Sequence, residues 1–139
     1  MQTLPLRLNP GDDLRWALEA AVAAQGCRAA FVLAGIGSLH DARLRLAGAG
    51  EASTLPGECE ILSLAGSIAP GASHLHAALA DAQGTVCGGH VAYGCTVRTT
   101  AEVLLALLPD WQFSREPDAA TGYDELVVRQ RGQPLAGGA

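Results

Sequence analysis

Residues 73–93 read SHLHAALADAQGTVCGGHVAY, and this stretch governs both the fold and the chemistry expected of the chain. Two strand-like runs, 73–80 and 85–93, flank Asp81-Ala82-Gln83-Gly84. That pattern predicts a β-hairpin, with Gly84 in the left-handed position of a three-residue loop with a bulge. With such a loop Asp81 faces Thr85, and the register carries His76 opposite His90. Side chains alternate along a strand with period two, so His74 and His76 share one face and His90 joins them from the next strand. A two-residue loop would instead turn His90 to the other face, and a bulge at Gly88-Gly89 would also shift it. The alternative reading of those glycines is a place where another backbone approaches closely.

Three neutral imidazoles with an open fourth position are how a catalytic-type zinc site is built. The plainer reading is three polar side chains, each satisfied by a backbone partner. Crowded and unligated, however, they would repel one another on protonation. The spacing therefore predicts His74, His76 and His90 as metal ligands. Zinc is the first choice, with nickel, cobalt or copper also suited to imidazole. Cys87 lies three residues before His90, on the opposite face of a regular strand, and is not expected to ligate.

Outward from the hairpin, Leu4, Leu6 and Leu8 mark a short first strand that Asn9-Pro10-Gly11 breaks. Asp12 or Asp13 caps a helix to about Gln25, with Leu14, Ala17, Leu18, Ala21 and Val22 at helical spacing and Gly26 as its stop. Residues 28–34 read as a buried strand, Gly35-Ile36-Gly37-Ser38 as a turn, and Ala42 to Leu46 as a strand with one wet face. Gly48 to Gly57 reads as a loop, and Glu58 to Ile68 as a further strand. Val103 to Leu108 fits a helix behind the capping box Thr99-Thr100-Ala101-Glu102 or a buried strand; Pro109 and the β-rich surroundings favour the strand. Trp111 and Phe113 mark a short strand, 117–122 a loop, and 125–129 the last strand. Residues 132–139 read as a disordered tail, which leaves 1–131 as a single domain.

Composition narrows the function. The 139 residues carry a net charge of −5, and the positive charges are all arginine and scattered, so no basic footprint for a phosphate backbone is present. No run reaches the roughly 20 apolar residues of a membrane helix, and no signal peptide is visible. A cytoplasmic location without membrane contact is expected. The four cysteines form no C-x-x-C pair and read as free thiols. Glu60, Glu102, Arg98 and Arg115 are candidates by type for moving protons or holding an anion, but each reads better as a surface charge or cap. His40 stands alone after a turn and reads as a surface or loop residue. Gly35-x-Gly37 lacks the rest of a dinucleotide fingerprint. No exposed apolar stripe stands out in the sequence.

The motifs then fall in a recognisable order. Pro10-Gly11-Asp12-Asp13-Leu14 opens the helix, Gly35-Ile36-Gly37-Ser38-Leu39 follows, and Glu60-Ile61-Leu62-Ser63-Leu64-Ala65-Gly66 precedes His74-Leu75-His76. Asp81, Gly84, Gly88-Gly89-His90, Gly94, Thr99-Thr100-Ala101-Glu102, Arg115 and Thr121-Gly122-Tyr123 complete the series. From about residue 5 to 130 the chain resembles the PPC domain, the family conserved between plants and prokaryotes. The resemblance implies an α/β (α+β) domain: a twisted, mainly antiparallel sheet with one main helix packed on it, assembled as a homotrimer. It implies a fold similar to acetolactate decarboxylase, whose active site holds zinc through three histidines. The resemblance also implies that prokaryotic relatives with the H-x-H and G-G-H motifs can bind zinc there, which corresponds to His74, His76 and His90.

In plants the domain is joined to an AT-hook and acts in DNA-binding regulators. The hook's Arg-Gly-Arg-Pro core is absent, since Arg131-Gly132-Gln133-Pro134 is not a hook. The plant partner-binding segment Gly-Arg-Phe-Glu-Ile-Leu corresponds to Gly57-Glu58-Cys59-Glu60-Ile61-Leu62, with its Arg and Phe replaced. DNA binding is therefore not expected. The expectation is a stand-alone prokaryotic member with a three-histidine zinc site, a small-molecule ligand and metal-dependent lyase or hydrolase chemistry. A DNA-associated regulator and a non-catalytic structural trimer are the competing readings.

Overall fold

Period-two alternation of apolar residues recurs along this chain, and among its described residues the computed structural model accordingly has eight strands and one helix. It describes residues 1–132; the tail expected over 132–139 lies, beyond Gly132, outside the described residues. The elements are β1 (Gln2–Leu8), α1 (Leu14–Ala24), β2 (Ala30–Arg45), β3 (Ser53–Ile68), β4 (His74–Asp81), β5 (Val86–Val91), β6 (Thr96–Leu107), β7 (Trp111–Pro117) and β8 (Asp124–Gln130). The fold is α+β, with the helix packed on a mostly antiparallel sheet.

The helix forms where the sequence places it. The Asp13 carboxylate accepts the Trp16 N–H at 2.9 Å, satisfying one orphan donor of the first turn. Gly26 takes a positive φ of 63° just past the end. Leu14, Leu18 and Val22 recur every four residues on one face, and all three are buried in the same core cluster as Leu39, Ile61, Leu64 and Leu105 of the sheet.

The six-stranded sheet runs β1-β6-β2-β3-β4-β5, and β5 pairs again with the end of β2 through Leu44↔Val91 and Arg45↔His90. Strands β2 to β5 thus curl back on themselves. Register shifts at His40/Ala42 in β2 and Ile61/Ser63 in β3 supply the local twist that such curling needs. At the first shift Asp41 has a φ of 52°, and its carboxylate accepts the Gly57 N–H at 2.7 Å. A separate ribbon, β7 with β8, is tied to the main body by a bridge between Arg28 and Gln112.

Two expectations are corrected here. Gly35 to Ser38 is no turn but the middle of the 16-residue β2. Its glycines answer a packing need: a Cβ on Gly37 would lie 2.4 Å from the Thr100 carbonyl oxygen, and one on Gly35 would lie 2.9 Å from Leu64 Cβ. The loop read over 48–57 is also shorter, because β3 begins at Ser53 and runs through Pro56-Gly57. The choice of strand for 103–108 agrees with β6, and Cys27, Cys59, Cys87 and Cys95 are all free.

Gly66 fixes how closely β3 approaches β4. It has a φ of +141°, and a Cβ there would lie 2.0 Å from the His74 carbonyl oxygen. Gly57 also has a positive φ, but open space around it. Gly66→Ala should therefore cost about 1–3 kcal/mol through the backbone clash, clearly more than Gly57→Ala. Urea denaturation midpoints check the ordering; equal costs would mean that the close approach is not what demands glycine at 66.

Candidate metal centre

The hairpin expected at 73–93 forms with the register that the histidines need. The Asp81 N–H donates to the Thr85 carbonyl at 3.0 Å, Ala80 pairs with Val86, and His76 faces His90. Gly88 and Gly89 stay in register opposite Ala78 and Ala77, so they introduce no bulge. They are glycines because backbone crowds them: a Cβ would lie 2.9 Å from the Ala77 carbonyl oxygen at Gly88 and 2.8 Å from that of Arg45 at Gly89. Cys87 packs against the core on the opposite face from His90, as its spacing requires.

The three rings converge. His74 Nε2 lies 3.0 Å from His76 Nε2 and 3.0 Å from His90 Nδ1, and the last two nitrogens are 3.1 Å apart. His74 stacks on His90 with ring planes 13° apart, while His76 stands edge-on to both. Hydrogen bonding alone does not satisfy this triangle. Each nitrogen is either an N–H or a lone pair, and three mutual neighbours cannot alternate, so at least one edge opposes like groups. A central cation satisfies all three lone pairs together. Nitrogens bonded to one tetrahedral zinc at about 2.0–2.1 Å lie about 3.3 Å apart, near the spacing found here. The donor set and geometry therefore fit a metal. Among the described residues this is the group of His, Cys, Asp and Glu side chains arranged for one.

The surroundings favour the ligating, neutral form of His74 and His90. Burial pushes the His74 imidazole below its ordinary pKa; Arg115, His76 and Arg45 push the same way, and Glu125 opposes them. Burial likewise lowers His90, helped by Arg45, His76 and His74. His74 and His90 are half-buried and open onto a cleft of about 700 Å³ whose wall includes Arg15, Arg45, Arg115 and Tyr123.

Three arginines organise this cleft, and the sequence singled out only Arg115, as a surface charge. Its side chain is in fact 14% exposed, and its guanidinium donates to Ser67 Oγ at 3.1 Å. Ser67 is the strand partner of His74. Arg45 is the strand partner of His90, a placement that follows from the closure of β5 onto β2. Arg15 is a brace. From α1 it donates to the carbonyls of Ser73 and Val91 at 2.8 and 3.2 Å, pairs with Glu19, and lies over the Tyr93 ring. It thereby holds the residues just before His74 and just after His90. The remaining candidates stand away from the triad as ordinary surface groups. Arg98 pairs with Glu58 at 2.8 Å, Glu60 and Glu102 are exposed, and His40, exposed on β2, lies 3.2 Å from the Asp41 carboxylate.

A pH dependence follows for the metal-free protein. His74 and His90 have folded pKa values below the ordinary imidazole value of about 6.5, so protonation favours the unfolded chain. Their contribution is complete above about pH 6.5 and declines as the pH falls through that value. Urea midpoints should drop between about pH 7.5 and 5, and drop less in a His74→Asn, His90→Asn double variant. Equal slopes in the two proteins would overturn this account.

Comparison with known proteins agrees with the architecture. A hypothetical protein of known structure from Salmonella enterica is 42% identical, covers 94% of each chain and superposes with a TM-score of 0.89. A metal-containing protein from Archaeoglobus fulgidus is 26% identical over 91% of this chain and 94% of its own, with a TM-score of 0.76. A bifunctional protein GlmU from a Synechococcus strain is 47% identical over 99% of this chain. The chain spans only about a fifth (21%) of that relative's length. The family model described as the Plants and Prokaryotes Conserved (PCC) domain matches residues 1–109. With that match over most of its length, the chain belongs to the PCC domain family, the PPC domain of the sequence reading.

Proposed function

We propose that this protein holds zinc, or another divalent transition metal, through His74, His76 and His90, and that the metal serves a small-molecule site with lyase or hydrolase chemistry. The observation that carries the reading is the nitrogen triangle, whose lone pairs no arrangement of protons satisfies. The Archaeoglobus relative, described as metal-containing, supports it. So does the likeness to acetolactate decarboxylase that the family resemblance implies. A bound divalent ion supplies Lewis-acid polarisation of a substrate oxygen.

The chain's own residues do the positioning. Register holds His76 opposite His90, Arg15 ties both ends of the hairpin to the helix, and the cleft beside His74 and His90 leaves room for a small molecule. No helix of the described residues is long and apolar enough to cross a membrane.

We further propose the homotrimer that the family resemblance implies. Leu33, Ile36 and Leu62 are 52–56% exposed on the neighbouring strands β2 and β3. Such a patch is unusual for a surface that meets only water. The sequence hid it, because these residues stand among the buried apolar positions of the same strands.

Two measurements test this reading. Elemental mass spectrometry of untagged protein should find about one metal ion per chain, and His76→Ala should abolish stoichiometric uptake; full retention in that variant would sink the site. Ile36→Glu combined with Leu62→Glu should convert trimers to monomers by light scattering. If removing the metal with a chelator also dissociates the trimer, the ion is structural, and the ligand-site reading gives way to a scaffolding one.

A further inference from the structure

We infer that the cleft takes a small oxyanion, a carboxylate or phosphate group gripped by Arg45 and Arg115 beside the three histidines; the inference rests on the metal reading of that site. Strand pairing sets Ala65, His76, His90 and Arg45 in one row across β3, β4, β5 and β2. The next row holds Ser67 and His74, and Arg115 reaches over from β7 to donate to Ser67 Oγ. One guanidinium thus flanks His90 and the other flanks His74, from strands far apart in sequence.

Neither cation is closely paired with a carboxylate as Arg129, Arg98 and Arg15 are. Arg129 grips Glu116 with two bonds of 2.6 and 2.9 Å, Arg98 meets Glu58 at 2.8 Å, and Arg15 meets Glu19 at 3.2 Å. Arg115 approaches Glu125 only to 3.9 Å, beyond a direct hydrogen bond. Arg45 has a single internal partner, the Ala49 carbonyl at 3.2 Å, and no carboxylate within ion-pair distance among the described residues. Arg7, Arg28, Arg43 and Arg131 also lack one, but they are exposed to water, whereas Arg45 is half-buried. With 14 acidic against 9 basic residues, carboxylates are plentiful in this chain.

Two guanidiniums placed beside a cation-binding triad oppose the metal's charge and weaken its hold unless an anion comes between them. The planar guanidinium fork matches a carboxylate or phosphate with two parallel hydrogen bonds. Arg15 is committed elsewhere: three of its five N–H groups donate to Glu19, Val91 and Ser73, and its charge is paired with Glu19. Because the anion offsets the like charges, anion and metal should bind with positive coupling, each raising the affinity for the other.

The test uses the full chain loaded with cobalt, whose visible spectrum responds to changes around the ion. Pyruvate and inorganic phosphate are titrated separately, and metal content is measured in every sample. The expected result is a saturable spectral change with at least one probe. Arg45→Gln and Arg115→Gln should each weaken it by about tenfold or more while cobalt content is retained. Arg45→Lys, which keeps the charge without the fork, should fall between wild type and Arg45→Gln. A response to pyruvate alone assigns a carboxylate, and to phosphate alone a phosphate. No saturable response to either probe, or unchanged affinities in both glutamine variants, would overturn the inference. Failure to take up cobalt would instead overturn the metal reading, and calorimetric titration of the metal-free protein with the same two anions would then decide the arginine grip.

Discussion

The backbone pairing of His76 with His90 is the constraint on which the site depends. It is set five residues away from either histidine, by the turn that lets the Asp81 N–H reach the Thr85 carbonyl. A one-residue slip would send His90 to the opposite face, because side chains alternate with period two. The glycines at 88 and 89 preserve that register by admitting the backbones of β4 and β2 on either side of β5. Once β5 is seated between them, Arg45 has no freedom in its placement: it lies beside His90 because β2 ends there. The donor triangle and one of its flanking cations are thus products of the same closure.

Much of this was legible in the sequence, for identifiable reasons. The hairpin carried its own turn chemistry in Asp81 and Gly84, and the H-x-H spacing fixed two rings on one face. The helix declared itself through Asp13, the spacing of Leu14, Leu18 and Val22, and Gly26. The misreadings share one cause. Gly35, Gly37 and Gly57 read as punctuation between elements, whereas they lie within long, bent strands. At Gly35 and Gly37 a neighbouring strand occupies the space a Cβ would need. Nothing local in a sequence separates a glycine that turns the chain from one that admits a neighbour.

The arginines show the same limit in electrostatic form. Arg43 and Arg45 alternate with Ala42, Leu44 and Leu46 and read equally as a wet face. In the structure Arg43 is exposed, while Arg45 is drawn in by the pairing of β2 with β5. Arg115 looks like a solvated charge until the β7–β8 ribbon lays it over Ser67. Both placements depend on pairings between segments tens of residues apart, which composition and spacing do not encode. The acidic total charge was no guide to this cleft, whose wall carries three arginines against two carboxylates, Asp124 and Glu125.

The curled sheet also bears on how the site behaves in time. Strand β4 is bonded to β3 along one edge and to β5 along the other, and β5 is held in turn by β4 and by the end of β2. Amides protected on both sides open to solvent only in the larger cooperative fluctuations of a protein, whereas fraying ends open readily. The backbone under His76 and His90 should therefore exchange slowly, even though the rings reach the surface. An ion held at those rings would exchange through the cleft while the strands beneath stay shut, so ligand exchange and not unfolding would set its residence time.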